Sequence, residues 1–222
     1  MFRFPFICVG ITSRIRAVRQ YYTFMAFVAP LSCSRKVFSM IGTTRQTPKN
    51  IILIGFMGVG KSTIANGLSK SLGFDVLDTD KMIEDRQSRS INEIFANEGE
   101  QTFREMESVI LNDLVGSTDH SVISTGGGIV IREENIKVLR SMGVVFWLDA
   151  GVDSILDRVT GNRDRPLLRT EDPRETIQNL LSEREPLYEN CADERIQTDD
   201  LSVDEISYGI AETARVWFST QS

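Results

Sequence analysis

Histidine is almost missing from this chain: His120 is the only one in 222 residues. With no partner histidine and no Cys or Ser pairing beside it, His120 reads as a surface loop residue, and histidine-based catalysis and histidine metal sites drop out. Cysteine is scarce too. Cys8, Cys33 and Cys191 are odd in number and far apart, with no CxxC spacing, which excludes a disulfide framework and a zinc cluster and favours a reducing compartment. No apolar run reaches the ~18 residues a spanning helix needs, so no membrane partner is expected. Six prolines and 16 glycines are too few for a fibrous or low-complexity chain. What remains, 41% hydrophobic and 25% charged, is ordinary globular composition, and the length suits one domain plus an extension.

Acidic residues are missing from the whole first third; the first is Asp75. Residues 1–50 carry Arg3, Arg14, Arg16, Arg19, Arg35, Lys36, Arg45 and Lys49, so that stretch is +8 and the rest of the chain, at a net −6, is −14. Residues 1–48 show no clear period and are rich in Arg, Ser and Thr. They read as a basic extension outside the fold, disordered, either an organelle transit segment or an over-long start with Met40 as the initiator. A basic nucleic-acid arm formed by residues 1–49 is a third reading. The acidic body is a poor nucleic-acid binder, because duplex affinity requires phosphate neutralisation, but focused arginines still suit a small anion.

From residue 49 onward, strand-like and helix-like runs alternate. Asn50–Gly55 reads as a buried strand, Ser62–Leu72 as a helix closed by Gly73, and Asp75–Asp78 as a second strand. Residues 80–115 are mostly helical with a break at Glu98-Gly99. Ser121–Thr125 and Val144–Leu148 read as strands around a helix at Glu133–Met142. A short helix at Ser154–Val159, a polar loop at 160–172, a helix at Arg174–Tyr188, a weak strand at Arg195–Thr198 and a last helix at Val203–Trp217 complete the pattern. It predicts an α/β fold: a three-layer P-loop architecture, a central parallel sheet of about five strands, helices on both faces and a mobile lid. Ligands then belong at the carboxyl ends of the strands.

Gly55-Phe-Met-Gly-Val-Gly-Lys61-Ser62 fits GxxxxGK[ST] in full, after a strand and opening a helix. Successive backbone N–H groups around Gly58, Val59, Gly60 and Thr63 cradle phosphate. Lys61 reaches the β- and γ-phosphates, and the Ser62 hydroxyl ligates Mg²⁺. Asp78 and Asp80 follow the second strand. Alternation puts both carboxylates on one side, beside the γ-phosphate if that strand flanks the first, one for the hydrated metal and one as base or orienter; helix capping is the plain alternative. No apolar run ends in aspartate near Ser124-Thr125, so Ser62 and the aspartate pair must hold the metal. Arg104 and Glu107, spaced i, i+3, are by themselves a surface ion pair. Gly126-Gly127-Gly128 marks either close approach of a ligand or a plain turn. Arg163, Arg165 and Arg169 make residues 160–172 either a lid over phosphates or a solvated connection. Arg184 alone reads as a solvated helical arginine with Glu neighbours. The methionines and Trp147 are most simply core.

Taken in order, Gly55–Ser62, Leu77-Asp-Thr-Asp80, Ile94-Phe95 with Gly99-Glu100 and Phe103-Arg104…Glu107, Thr125–Gly128, Arg165-Pro-Leu-Leu168 and Arg184…Pro186-Leu-Tyr188 resemble the shikimate kinases of the P-loop nucleoside-monophosphate-kinase-like group, over roughly residues 49–213. The resemblance implies phosphorylation of the shikimate 3-hydroxyl by ATP with Mg²⁺, in aromatic amino acid biosynthesis. It implies that Lys61, Asp80 and Arg165 are catalytic, and that Gly58–Thr63, Arg158 and Arg165 bind ATP, Arg158 against adenine. Asp80, Arg104, Gly127 and Arg184 would bind shikimate, Glu107 would orient an arginine, and Ser62 and Asp78 would serve the metal. A cytoplasmic monomer is expected, or a plastid protein if residues 1–48 are a transit peptide. Gluconate and nucleotide kinases of the same fold, and a non-catalytic relative, are the rival readings. At Thr198-Asp199-Asp200 the chain offers no basic side chain where the family often has one near adenine.

Overall fold

The computed structural model of the chain describes residues 49–160 and 172–220. The basic extension and most of the predicted lid, Arg163, Arg165 and Arg169 with it, lie outside the described residues.

Five strands form one sheet: β1 (Asn50–Ile54), β2 (Asp75–Asp78), β3 (Ser121–Ser124), β4 (Gly143–Asp149) and β5 (Glu194–Gln197), in the order β2-β3-β1-β4-β5. Every pairing is parallel. Among the described residues seven α-helices connect or follow them: α1 (Lys61–Leu72), α2 (Thr79–Gln87), α3 (Ile91–Leu114), α4 (Glu133–Met142), α5 (Val152–Thr160), α6 (Pro173–Cys191) and α7 (Val203–Thr220). The order corrects one premise of the sequence reading. β2 does not flank β1; β3 lies between them, so Asp78 at the end of β2 reaches Ser62 at the phosphate loop across an intervening strand.

The sheet divides its side chains by the period of two. Ile52, Ile54, Ile123, Val145 and Trp147 join a buried cluster with Ile83 of α2, Phe103, Ile110 and Leu111 of α3, Ile136 and Leu139 of α4, and Tyr188 of α6. Their neighbours Ile51, Leu53, Val122, Val144 and Phe146 are equally buried and by alternation face the opposite way. That second face is where α1 and α7 pack on each other, burying Ile64, Ala65 and Leu68 against Ile206, Ile210 and Ala211. Strands buried on both faces are why β1 and β4 are continuous apolar runs.

α3 starts at a full capping box, with the Ser90 hydroxyl accepting from Glu93 N–H and Glu93 Oε2 accepting from Ser90 N–H. The expected break falls at Gly99, whose φ of 81° inside α3 is a backbone conformation glycine adopts without penalty. Beyond it the helix carries Arg104 and Glu107 inward, toward the carboxyl ends of the strands.

Candidate active site

The phosphate loop is a turn with an unfinished helix end. Gly60 stands at the N-cap of α1 with φ of 98°, contributes no side-chain cap, and the first turn holds no acid. Such an end has unpaired N–H groups and a positive dipole, the arrangement an anion completes. Lys61 is buried, and its Nζ donates to the carbonyls of Gly55 and Phe56 at 2.8 and 2.9 Å, which holds the ammonium over the loop. α5 closes the side of the loop: a Cβ on Gly58 would lie 2.7 Å from Val159 Cγ1. Arg158, the neighbour of Val159, is exposed on the same helix.

Asp78 both caps and reaches the loop. Its Oδ1 accepts from the N–H groups of Asp80 and Lys81, capping α2, while Oδ2 accepts from the hydroxyls of Ser62 at 2.8 Å and Ser124 at 3.1 Å. Register explains the reach: Asp78 pairs with Ser124 across β3, and Ser124 Oγ is 3.3 Å from Ser62 Oγ. The alternation argument for the two aspartates fails here. Asp78 ends the strand and Asp80 lies in the first turn of α2, so a strand period does not relate them. Buried Thr79 between them accepts from Gly126 N–H at 3.1 Å and ties α2 to the glycine triplet.

The triplet is where the charged residues converge, and its glycines are needed for that. A Cβ on Gly126 would lie 2.5 Å from Asp80 Oδ1 and 2.6 Å from Glu107 Oε1; one on Gly128 would lie 2.1 Å from Arg104 Nη1. Gly127 sits against the phosphate loop, where a Cβ would meet Met57 N at 3.0 Å. The close approach expected of a ligand is thus made by the site's own side chains and by the neighbouring loop.

Arg104 and Arg184 depart from their plain readings as solvated arginines. Both are buried, at 6% and 5% exposure. Arg104 donates to Glu107 Oε2 at 2.7 Å and to Glu100 Oε1. Burial works against its charge, but Glu107 and Glu100 outweigh it and hold the guanidinium above its ordinary pKa. Arg184 lies over the Phe56 ring at 5.6 Å, with Nη1 3.5 Å from the Gly127 carbonyl. Glu107 is fully buried, and burial pushes its carboxyl up to about 7, against the pull of Arg104 and with a push from Asp80.

Three contributors escaped the reading of the sequence as site residues. Thr79 was legible only as the middle of Asp-Thr-Asp, Ser124 only as the place where an aspartate was missing, and Phe56 only as a variable position in the loop. A hydroxyl or ring gains such a role from its neighbours in space. His120 has the position expected of it, exposed beside Asp119.

Residues 57–215 match the model of the shikimate kinase family. The chain is 44% identical over 164 residues to the shikimate kinase of Actinobacillus pleuropneumoniae, covering 74% of this chain and 94% of that one. It is 44% identical over 159 residues to that of Thermodesulfovibrio yellowstonii, covering 72% and 91%. Among solved structures, the shikimate kinase of Acinetobacter baumannii in complex with shikimate superposes with a TM-score of 0.72 at 35% identity, covering 79% of this chain and 96% of that one. A phosphate loop facing two buried arginines across a glycine triplet, in a chain so closely related to these enzymes, makes this protein a member of the shikimate kinase family.

Proposed function

We infer that this chain transfers the γ-phosphoryl group of ATP to the 3-hydroxyl of shikimate, giving shikimate 3-phosphate and ADP in aromatic amino acid biosynthesis. One observation carries the assignment of roles: Arg104 of α3 and Arg184 of α6, both buried, meet at Gly127 and Gly128 within contact of the phosphate loop. Buried guanidinium groups are costly unless an anion meets them, and a planar guanidinium binds a carboxylate bidentately. Shikimate is a monoanion with three hydroxyls. Arg104 and Arg184 therefore take its carboxylate, with the backbone of Gly127 beside them. Asp80 accepts from its hydroxyls and orients the one that attacks. Glu107 holds Arg104 in place.

ATP binds through the backbone of Gly58–Thr63 and the ammonium of Lys61, with contact to adenine assigned to Arg158 and phosphate binding also to Arg165. Phosphoryl transfer asks mainly for alignment and charge neutralisation. The loop amides and Lys61 neutralise the donor, and Asp80 and the arginines fix the acceptor. Mg²⁺ fits the oxygens of Ser62 and Asp78, with Ser124 within reach, since magnesium prefers hard oxygen ligands, one or two carboxylates and the nucleotide's own phosphates. When bound, the ion supplies positive charge to the transferring phosphates. We assign the catalytic unit to residues 49–222 and take it to work as a monomer.

ADP release measured with Mg·ATP and shikimate, beside gluconate and nucleoside monophosphates, tests this. Turnover confined to shikimate is expected; preference for a nucleotide acceptor overturns the assignment.

A further inference from the structure

Tyr188 has no part in the roles assigned above, yet it is fully buried at the back of the site. Its ring stacks on Trp147, with centroids 5.7 Å apart and planes 26° from parallel. Its hydroxyl donates to the carbonyl of Gly127. Arg184, one turn earlier on α6, reaches the same carbonyl at the long distance of 3.5 Å. The carbonyl therefore has a short neutral donor and a weak charged one. Burial pushes the phenol above its ordinary pKa, so the donor proton stays.

Three consecutive glycines have no side chains to fix their backbone. Each is instead tied by a neighbour. Gly126 N–H is held by Thr79 and the Gly128 carbonyl by Ile131 N–H. The Gly127 carbonyl falls to Tyr188. Because a peptide is planar, fixing that carbonyl also fixes the N–H of Gly128, the residue on which the Arg104 guanidinium lies. A second consequence concerns Arg184. If it were the sole partner of Gly127, its turning toward a carboxylate would leave a partly buried carbonyl without a donor, which the Tyr188 hydroxyl prevents.

We propose that Tyr188 is a positioning residue of the acceptor pocket: its hydroxyl holds the Gly127–Gly128 peptide against the phosphate loop and so releases Arg184 to grip the substrate carboxylate. The proposal rests on the assignment of that pocket to shikimate. Tyr188→Phe keeps the ring and removes the hydroxyl. It should raise KM for shikimate about tenfold, leave KM for ATP within twofold, and lower kcat far less than it raises the shikimate KM. Trp147→Phe, which weakens the stack and keeps the hydroxyl, should leave both KM values within twofold. A Tyr188→Phe enzyme with unchanged shikimate KM, or with both KM values raised equally, overturns the proposal. Should that variant not fold, amide exchange in the full-length protein decides: Gly128 N–H is expected to be protected before shikimate is added, and exchange at the rate of an open loop overturns the proposal. A wild-type chain that turns over another acceptor but not shikimate overturns the pocket assignment and this proposal with it, whereas shikimate turnover indifferent to Tyr188→Phe overturns only the latter.

Discussion

Glu107 is a carboxylate with no exposure, facing an arginine on one oxygen and an aspartate near the other. Its Oε1 has no hydrogen-bond partner among the described residues. The folded chain therefore holds a proton at Glu107 more tightly than the unfolded chain does, up to about 7 against an ordinary 4.5. For this group the stability is greatest below pH 4.5, declines as pH rises from about 4.5 to 7, and is flat above. Glu107→Gln, which mimics the protonated form, removes that decline. Denaturant unfolding at pH 5 and pH 8 should show wild type losing stability relative to the variant by at least about 1 kcal/mol, since each pKa unit is worth 1.36 kcal/mol. Parallel stabilities across that range would mean that Glu107 titrates as it does in water. Spacing alone showed this residue as the i+3 partner of Arg104, and only the family resemblance gave it a role in orienting an arginine, because burial, and not spacing, is what separates an exposed ion pair from one built into a site.

The elements carry these residues to one place by different means. α3 delivers Arg104 and Glu107 after its kink at Gly99, α6 delivers Arg184 and Tyr188 one turn apart, and the turn after β3 receives both. That turn tolerates no side chain at Gly128, where a Cβ would lie within 2.5 Å of three atoms of the Arg104 guanidinium. Gly128→Ala must displace Arg104. It is expected to raise KM for shikimate by tenfold or more, a shift of at least about 1.4 kcal/mol, and to leave KM for ATP nearly unchanged because the phosphate loop is not touched. An unaltered shikimate KM would remove Arg104 from the acceptor pocket. Element boundaries were well marked in the sequence: Glu133–Met142 has its expected limits, and the Glu98-Gly99 break falls where expected. What the pattern misjudged was the pairing of strands. Hydrophobic runs announce a buried strand and carry no label for its neighbour, so the insertion of β3 between β1 and β2 was invisible, and with it the way Asp78 reaches Ser62.

At the scale of the molecule, the site draws residues from the turn after β1 through to α6, so ligands should stabilise the fold. Shikimate at about 100 times its Kd adds about 2.7 kcal/mol to the unfolding free energy, a rise in Tm of roughly 5–10 °C at 2–4 °C per kcal/mol for a chain of this size. Arg184→Ala should abolish most of the shift caused by shikimate and preserve the one caused by a non-hydrolysable ATP analogue; equal loss of both would place Arg184 outside the acceptor pocket. The sequence by itself determined the layered α/β class, the phosphate loop and the candidate residues, because periodicity and a glycine-spaced anion motif are local properties of the chain. Only the tertiary structure decided that Arg104 and Arg184 are buried beside one glycine triplet, that Asp78 serves α2 and Ser62 together, and that the triplet makes room for the protein's own charges. Those facts depend on which distant elements lie side by side, and contact between residues remote in the chain is fixed by packing, which no local pattern encodes.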